Sequence, residues 1–170
     1  MANKQYPNFD VSPGTSGQII RLGPQGAEVL ERHWGLKPTG ERKSPIINVR
    51  AENRIFREGR CLALASEFFV FAGSRSPKTR WRVTVRGTEW FCFAAIWRPA
   101  AGNWPESYAV ITVPAGQDLI KLTKRQMAIV AQKDWMAWLQ GAARPESVLR
   151  PSAKGTLKVE LAMAANRSAH

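Results

Sequence analysis

Residues 81–86 read WRVTVR, and after the turn residues 87–89 the chain continues with WFCFAAIW at residues 90–97. The first run alternates apolar and polar side chains, which is the period of a strand with one buried face, and the second is almost wholly apolar. Two such runs around a short turn predict an antiparallel hairpin. This stretch decides the fold class, because the sequence on either side continues in short strand-like runs.

The runs outward from this hairpin predict a mainly β protein with short helices, of the α+β class. Further strands are expected at residues 18–22, 27–34, 60–71, 107–113 and 128–130. Short helices are expected at residues 117–122 and 133–140, the second ending at Gly141. We expect a single domain over residues 1–143, followed by a polar tail at residues 144–170 that lies over the surface or frays.

The charge of the chain favours a polyanionic partner. Its 170 residues, of which 44% are hydrophobic, can bury one core, and 25 Lys and Arg against 13 Asp and Glu give a net charge of +12. Nucleic acid is the commonest polyanion in a cell, although a merely soluble basic protein is the alternative. The 7 Trp, 7 Phe and 2 Tyr offer faces on which unpaired bases can stack, while most of them should pack in the core.

Neither a metal site nor a membrane segment is expected. Cys61 and Cys92 lie in apolar runs without a second cysteine at ligand spacing, which predicts buried, inert thiols. His33 also has no Cys or His at ligand spacing. No apolar stretch approaches the roughly 18 residues that cross a bilayer, and the N-terminus lacks a hydrophobic signal core. We expect a cytoplasmic monomer without metal or cofactor.

Two strings, WGLKP at residues 34–38 and NVRAEN at residues 48–53, are not explained by amphipathic periodicity. Trp34 could form a stacking platform, or it could simply pack at a strand end. Asn48 and Arg50 alternate on one strand and so project to the same face, where an amide and a guanidinium can bind phosphate. A solvated surface pair is the alternative.

Two further features extend this candidate site. Glu52 continues the face of Arg50 and could pair with it. The turn Pro13-Gly14-Thr15 could present backbone N–H groups and a hydroxyl to a phosphate, or it could only reverse the chain.

The order of the short strings resembles the SRAP family (SOS response-associated peptidase; abasic-site processing proteins). The strings are NFDVSPGT at residues 8–15, WGLKP at 34–38, INVRAE at 47–52, CLALA at 61–65, FAAIW at 93–97, AVIT at 109–112, Arg125 and WMAWL at 135–139. The resemblance covers roughly residues 8–140.

The resemblance implies a compact β-barrel-type fold with a positively charged cleft for single-stranded DNA. In the family, a cysteine directly after the initiator methionine attacks an abasic sugar aldehyde to form a thiazolidine cross-link, and the same cysteine removes the methionine. An asparagine in an Asn-x-Arg-x-Glu strand, a glutamate in a Gly-Phe-Tyr-Glu-Trp string and a histidine before an Arg-x-Pro string complete that site. A carboxylate and an imidazole suit the proton transfers of imine formation and ring closure.

This sequence departs from the family where the chemistry lies. Its second residue is Ala2, and the string EFFVF places Val70 at the glutamate position. Glu67 lies three residues back along the strand and so is expected to face the other way. The histidine position falls on Thr123, so that Asn48 is the single catalytic position kept.

The positions that suit binding are retained. We expect DNA contacts from Pro13, Gly14, Thr15, Trp34, Asn48, Arg50 and Arg125. Arginine–phosphate and aromatic–base contacts do not depend on the base sequence of the DNA. The first hypothesis is therefore an SRAP-like pseudoenzyme that binds single-stranded or abasic DNA in the DNA damage response without the thiazolidine cross-link.

Three alternatives remain open. Lys124, beside the histidine position, could act as an amine that forms a Schiff base with an abasic aldehyde, giving a residual lyase or peptidase-type enzyme. A reading frame that starts upstream could restore a Met-Cys terminus, but it would not repair Val70 and Thr123. The chain could also have lost DNA binding and serve as a non-catalytic interaction module.

Overall fold

The computed structural model describes residues 10–163, and this part of the chain is built mainly from short strands. The strands are β1 Ser16–Gly23, β2 Gly26–Trp34, β3 Asn48–Arg50, β4 Arg60–Ala65, β5 Phe68–Ala72, β6 Thr79–Val85, β7 Phe91–Arg98, β8 Ser107–Pro114, β9 Arg125–Met127, β10 Ile129–Val130 and β11 Leu157–Met163. The helices are α1 Trp135–Leu139, preceded by a 3-10 turn at Gln132–Asp134, and α2 Pro145–Val148. The mainly β class with short helices is confirmed.

The larger sheet is mixed and wraps on itself. Its strand order is β10-β7-β4-β1-β2-β8-β3, with β9 on β8 and an additional pairing between β7 and β8. The pairings β4–β1–β2–β8–β7–β4 therefore run in a closed circuit, and each of these five strands has a neighbour on both sides. β2 and β3 both run parallel to β8, which brings the ends of two distant segments to the same strand.

The second sheet has three antiparallel strands in the order β11-β6-β5. The predicted hairpin of residues 81–86 and 90–97 is therefore wrong: β6 belongs to this sheet, whereas β7 pairs with β4, β8 and β10 in the larger one. The predicted single strand at residues 60–71 is likewise two strands, β4 and β5, one in each sheet. A turn at Ser66 and Glu67 moves the chain from one sheet to the other.

Two apolar clusters occupy opposite faces of β4 and β7. Leu62, Cys92 and Ala94 belong to the first cluster, and Cys61 and Phe93 belong to the second. These strands are apolar on both faces because each face is covered, which explains why residues 90–97 show no alternation. Both cysteines are buried and unpaired, as expected, and burial raises the pKa of both thiols.

The segment after residue 143 takes part in the fold. Val148 and Leu149 are buried in the first cluster, and β11 pairs with β6. The carboxylate of Asp118 accepts hydrogen bonds from the N–H groups of Gly155 (2.9 Å) and Leu157 (3.0 Å). The predicted surface tail is therefore wrong, because the polar composition of this segment hides the few apolar residues that are buried.

The two predicted helices have different outcomes. Residues 117–122 form hydrogen-bonded turns in place of a helix, with Leu119 N–H donating to the Gly116 carbonyl. The predicted helix at residues 133–140 is confirmed as α1 with its preceding 3-10 turn, and Gly141 follows it with φ 73°. Among the helices in residues 10–163, none is long and apolar enough to span a membrane.

Candidate nucleic-acid interface

β3 presents two polar side chains on one face. Asn48 and Arg50 are exposed, whereas Val49 between them is buried in the first cluster. The parallel register with β8 sets Asn48 opposite Val110 and Arg50 opposite Thr112. Within the described part of the chain neither side chain has a hydrogen-bond partner, and both are available to a ligand.

The Trp34 side chain is fixed by a hydrogen bond and by a ring contact within the fold. Its indole N–H donates to the carbonyl of Ile47 at 3.0 Å, and its ring stacks on Tyr108 with 6.3 Å between centroids and 9° between planes. The side chain is half-buried against the second cluster. This contact fixes the backbone immediately before Asn48, so Trp34 positions β3 whether or not its free edge meets a base.

The turn at residues 13–15 docks on the same tryptophan. Gly14 N–H donates to the Trp34 carbonyl, and Trp34 N–H donates to the Thr15 carbonyl, both at 2.9 Å. The Thr15 hydroxyl donates to the Ser12 carbonyl and accepts from the Ser12 N–H. The Gly14 amide and the Thr15 hydroxyl, which the sequence suggested for phosphate, therefore already have partners, although the turn itself is exposed.

Glu52 pairs with Arg125. The guanidinium donates to both carboxylate oxygens, at 2.7 and 2.9 Å, and also to the side-chain and backbone oxygens of Thr112, at 3.2 and 2.8 Å. These hydrogen bonds lower the pKa of Glu52 to about 2, and the more distant charge of Arg50 adds to the effect. The predicted Glu52–Arg50 ion pair is therefore wrong, since the carboxylate that follows β3 turns toward β9.

The positions where the resemblance led us to seek catalytic groups are occupied by packing and internal hydrogen bonds. Val70 lies on β5 opposite Trp81 and packs against the second cluster. The Thr123 hydroxyl donates to the Arg125 carbonyl at 3.0 Å, and Lys124 is exposed. Ala2 lies outside the described residues.

We call Asn48 and Arg50, with the turn at residues 13–15, Trp34 and Arg125 around them, the β3 strip. A groove of about 610 Å³ lies beside it, lined by Glu52, Arg54 and Glu146 among others and by none of the strip residues. Two carboxylates and one guanidinium do not make this groove basic, so this groove is not the positively charged cleft expected from the sequence.

The sequence reasoning missed the groups that support the strip. Thr112 accepts two hydrogen bonds from the Arg125 guanidinium, one at its hydroxyl and one at its carbonyl, and the Tyr108 ring stacks on the Trp34 ring. Both residues lie on β8, which pairs with both β3 and β9 in the larger sheet. In residues 10–163, no group of three or more His, Cys, Asp and Glu side chains is placed to hold a metal ion.

Comparison with protein families finds that residues 1–164 match the model described as SOS response associated peptidase (SRAP). A search of curated proteins finds no match.

Several solved structures share the fold. A crystal structure from Bordetella bronchiseptica aligns with TM-score 0.72 and 22% identity, covering 92% of this chain and 86% of that one. A phage-related protein of the same organism gives TM-score 0.69 and 16% identity over 92% and 86% of the two chains. A protein from Bacteroides thetaiotaomicron gives TM-score 0.67 and 20% identity over 87% of this chain and 74% of that one. At these identities the likeness concerns the fold alone.

Proposed function

The chain belongs to the SRAP family, and on that premise we propose that it binds single-stranded DNA through the β3 strip without forming a covalent bond to it. Membership of the family associates the chain with the DNA damage response in general terms. The proposed ligand, the site and the absence of a cross-link go beyond the family match and rest on the residues of this chain.

The observation that carries the proposal is a pair of exposed side chains on β3 that have no hydrogen-bond partner in residues 10–163. Arg50 offers a planar fork of N–H donors to a phosphate, and Asn48 offers an amide two residues away on the same face. The carboxylate of Glu52, two residues after Arg50, is held by two hydrogen bonds from Arg125, and it forms no ion pair with Arg50 among the described residues. With a net charge of +12 on the chain, the strip is suited to an anionic backbone.

The absence of a covalent step is supported by the residues at the other family positions. Valine has no ionisable group, and a threonine hydroxyl does not transfer protons near neutral pH as an imidazole does. Val70 also packs against the second cluster, so a carboxylate at this position would require its apolar neighbours to rearrange.

The test is binding of a fluorescent oligothymidylate to the wild-type chain and to Arg50→Ala at low salt. We expect Arg50→Ala to weaken binding about three- to tenfold and to reduce the salt slope by roughly 0.7, as loss of one phosphate contact on a single strand predicts. Arg57→Ala is the matched control, because Arg57 is also an exposed arginine but lies beside a separate groove with Trp97 and Gly141. Equal effects of the two substitutions would contradict a defined strip.

A second arm tests covalent chemistry on abasic single-stranded DNA with borohydride present. We expect no trapped adduct from the wild-type chain. An adduct that disappears in Lys124→Ala would replace the binding proposal with the lyase hypothesis. The exposure of Lys124 disfavours that result, since a Schiff-base lysine is usually enclosed.

A further inference from the structure

The outward face of the three-stranded sheet combines aromatic and cationic side chains. The register of β5, β6 and β11 sets Phe71, Arg80 and Met163 in one row across the strands. It sets Phe69, Arg82 and Glu160 in the next row. We call these two rows the Phe71 face. The opposite face carries Phe68, Val83 and Leu157, which are buried in the second cluster, so the Phe71 face is turned away from that cluster.

Apolar groups on the Phe71 face are unusually open. Phe71 is 58% exposed and Met163 is 57% exposed, although both lie within strands. Phe69 is covered by the guanidinium of Arg80, whose central carbon lies 3.6 Å from the ring centroid. Within residues 10–163 the Arg80 Nε is buried without a hydrogen-bond partner, so the guanidinium can meet a ligand only through its terminal nitrogens.

The charges of the Phe71 face are unevenly matched. Glu160 is shared by Lys158, at 2.9 Å, and Arg82, at 3.6 Å, and Glu67 also pairs with Arg82. Arg80 has no such carboxylate within the described residues, and Arg75 and Lys78 are exposed in the loop that joins β5 to β6. The two carboxylates are therefore already neutralised, and a surplus of positive charge lies around the exposed Phe71 ring.

We infer that the Phe71 face is a second binding surface for single-stranded nucleic acid, with Phe71 stacking on an unpaired base and Arg80 binding the neighbouring phosphate. A flat aromatic face beside unneutralised cations matches a ligand that is anionic along its backbone and flat in its bases. The inference rests on the proposed function for the kind of ligand, but it uses another sheet and other residues. The two surfaces can therefore be tested separately.

The main test is binding of a fluorescent thirty-nucleotide oligothymidylate to Phe71→Ala and to its control Val29→Ala. Phe71 and Val29 are each 58% exposed on a strand, so neither substitution removes much buried surface. We expect Phe71→Ala to weaken binding about five- to tenfold, since stacking on an aromatic side chain is a major contributor per base. Val29→Ala should change binding less than twofold. Thermal melting followed by circular dichroism should give all variants the wild-type midpoint within a few degrees.

Arg80 provides the second variant. Arg80→Ala should weaken binding about threefold at low salt and reduce the salt slope, and Arg80→Lys should recover most of the charge-dependent part. Arg144→Ala is the control for the loss of one exposed cation elsewhere, and it should leave binding near wild type.

The outcomes separate this inference from the proposed function. If Arg50→Ala weakens binding while Phe71→Ala and Arg80→Ala do not, the second surface is refuted and the β3 strip stands. If the two Phe71-face variants alone weaken binding, the second surface stands and the β3 strip fails. If the wild-type chain does not bind the oligonucleotide at low salt, both fail. If Phe71→Ala weakens binding to phosphatidylserine vesicles but not to the oligonucleotide, the face binds lipid and the inference is overturned.

Discussion

The two groups of positions that the family resemblance singled out have opposite fates in this molecule. Asn48 and Arg50 are exposed, with no hydrogen-bond partner within residues 10–163. Val70 packs against the second cluster, and the Thr123 hydroxyl bonds to the backbone of Arg125. Polar groups that are kept free on a surface can bind a ligand, whereas groups absorbed into packing serve stability. The comparison predicts that changes at Val70 act on stability and that changes at Arg50 act on binding.

The largest expected effect is that of Val70→Glu, which restores the family carboxylate. We expect it to lower the free energy of unfolding by about 2–3 kcal/mol, because a carboxylate would enter a half-buried site against apolar side chains without a partner. Urea denaturation measures the change. Val29→Glu, at an exposed strand position, should cost no more than about 0.5 kcal/mol.

The contrast would break if Val70→Glu were as stable as Val29→Glu. Position 70 would then be an open site that has merely lost its acid.

The next effect concerns the two arginines next to β3. Arg125→Ala should lower the free energy of unfolding by about 1–2 kcal/mol, because it removes both guanidinium hydrogen bonds to Glu52 and one of the two donors to the Thr112 carbonyl. Arg50→Ala should change stability by less than about 0.5 kcal/mol while weakening DNA binding. Urea denaturation should therefore detect mainly the loss of stability in Arg125→Ala, and oligonucleotide binding should detect the loss of affinity in Arg50→Ala. Equal losses of stability would show that Arg50 also supports the fold.

The smallest effect is a pH dependence carried by Glu52. Its pKa is about 2 in the folded chain against 4.5 ordinarily, chiefly because Arg125 donates hydrogen bonds to the carboxylate. A depressed folded-state pKa gives stability that is fully present above about pH 4.5 and is lost as the pH falls toward 2. The stability advantage of the wild type over Glu52→Gln should therefore shrink between pH 6 and pH 3, by less than the cost of Arg125→Ala because the pair is partly exposed. A constant difference over this range would argue against the ion pair.

Local patterns predicted the parts of the fold whose partners are close in sequence. The β1–β2 hairpin follows from two runs joined by a turn of Gly and Pro at residues 23–26, and it is present with the expected antiparallel pairing. The hairpin of residues 81–86 and 90–97 was wrong because β6 pairs with β11, more than seventy residues later in the chain. Alternation reports that a strand has one buried face, but it does not report which strand lies beside it.

The features of the candidate site likewise divide into those that local sequence predicts and those that depend on distant residues. The common face of Asn48 and Arg50 followed from a period of two along one strand, and the structure confirms it. The partner of Glu52 did not follow, since Arg125 is 73 residues away and reaches it from β9. The Phe71 face left a signal in the alternation of Arg80 and Arg82 on β6, but only the pairing with β5 places Phe69 and Phe71 beside them.

The late position of β11 in the chain has a consequence for the order of synthesis. A ribosome releases Leu157–Met163 after every other strand of the described fold. Until then β6 is paired with β5 alone, and its second edge, next to the buried Val83, lies open to water and to other chains. The nascent protein thus carries an unpaired strand edge from the synthesis of β6 until β11 is made, and the strand that covers this edge is the last of the described strands to emerge.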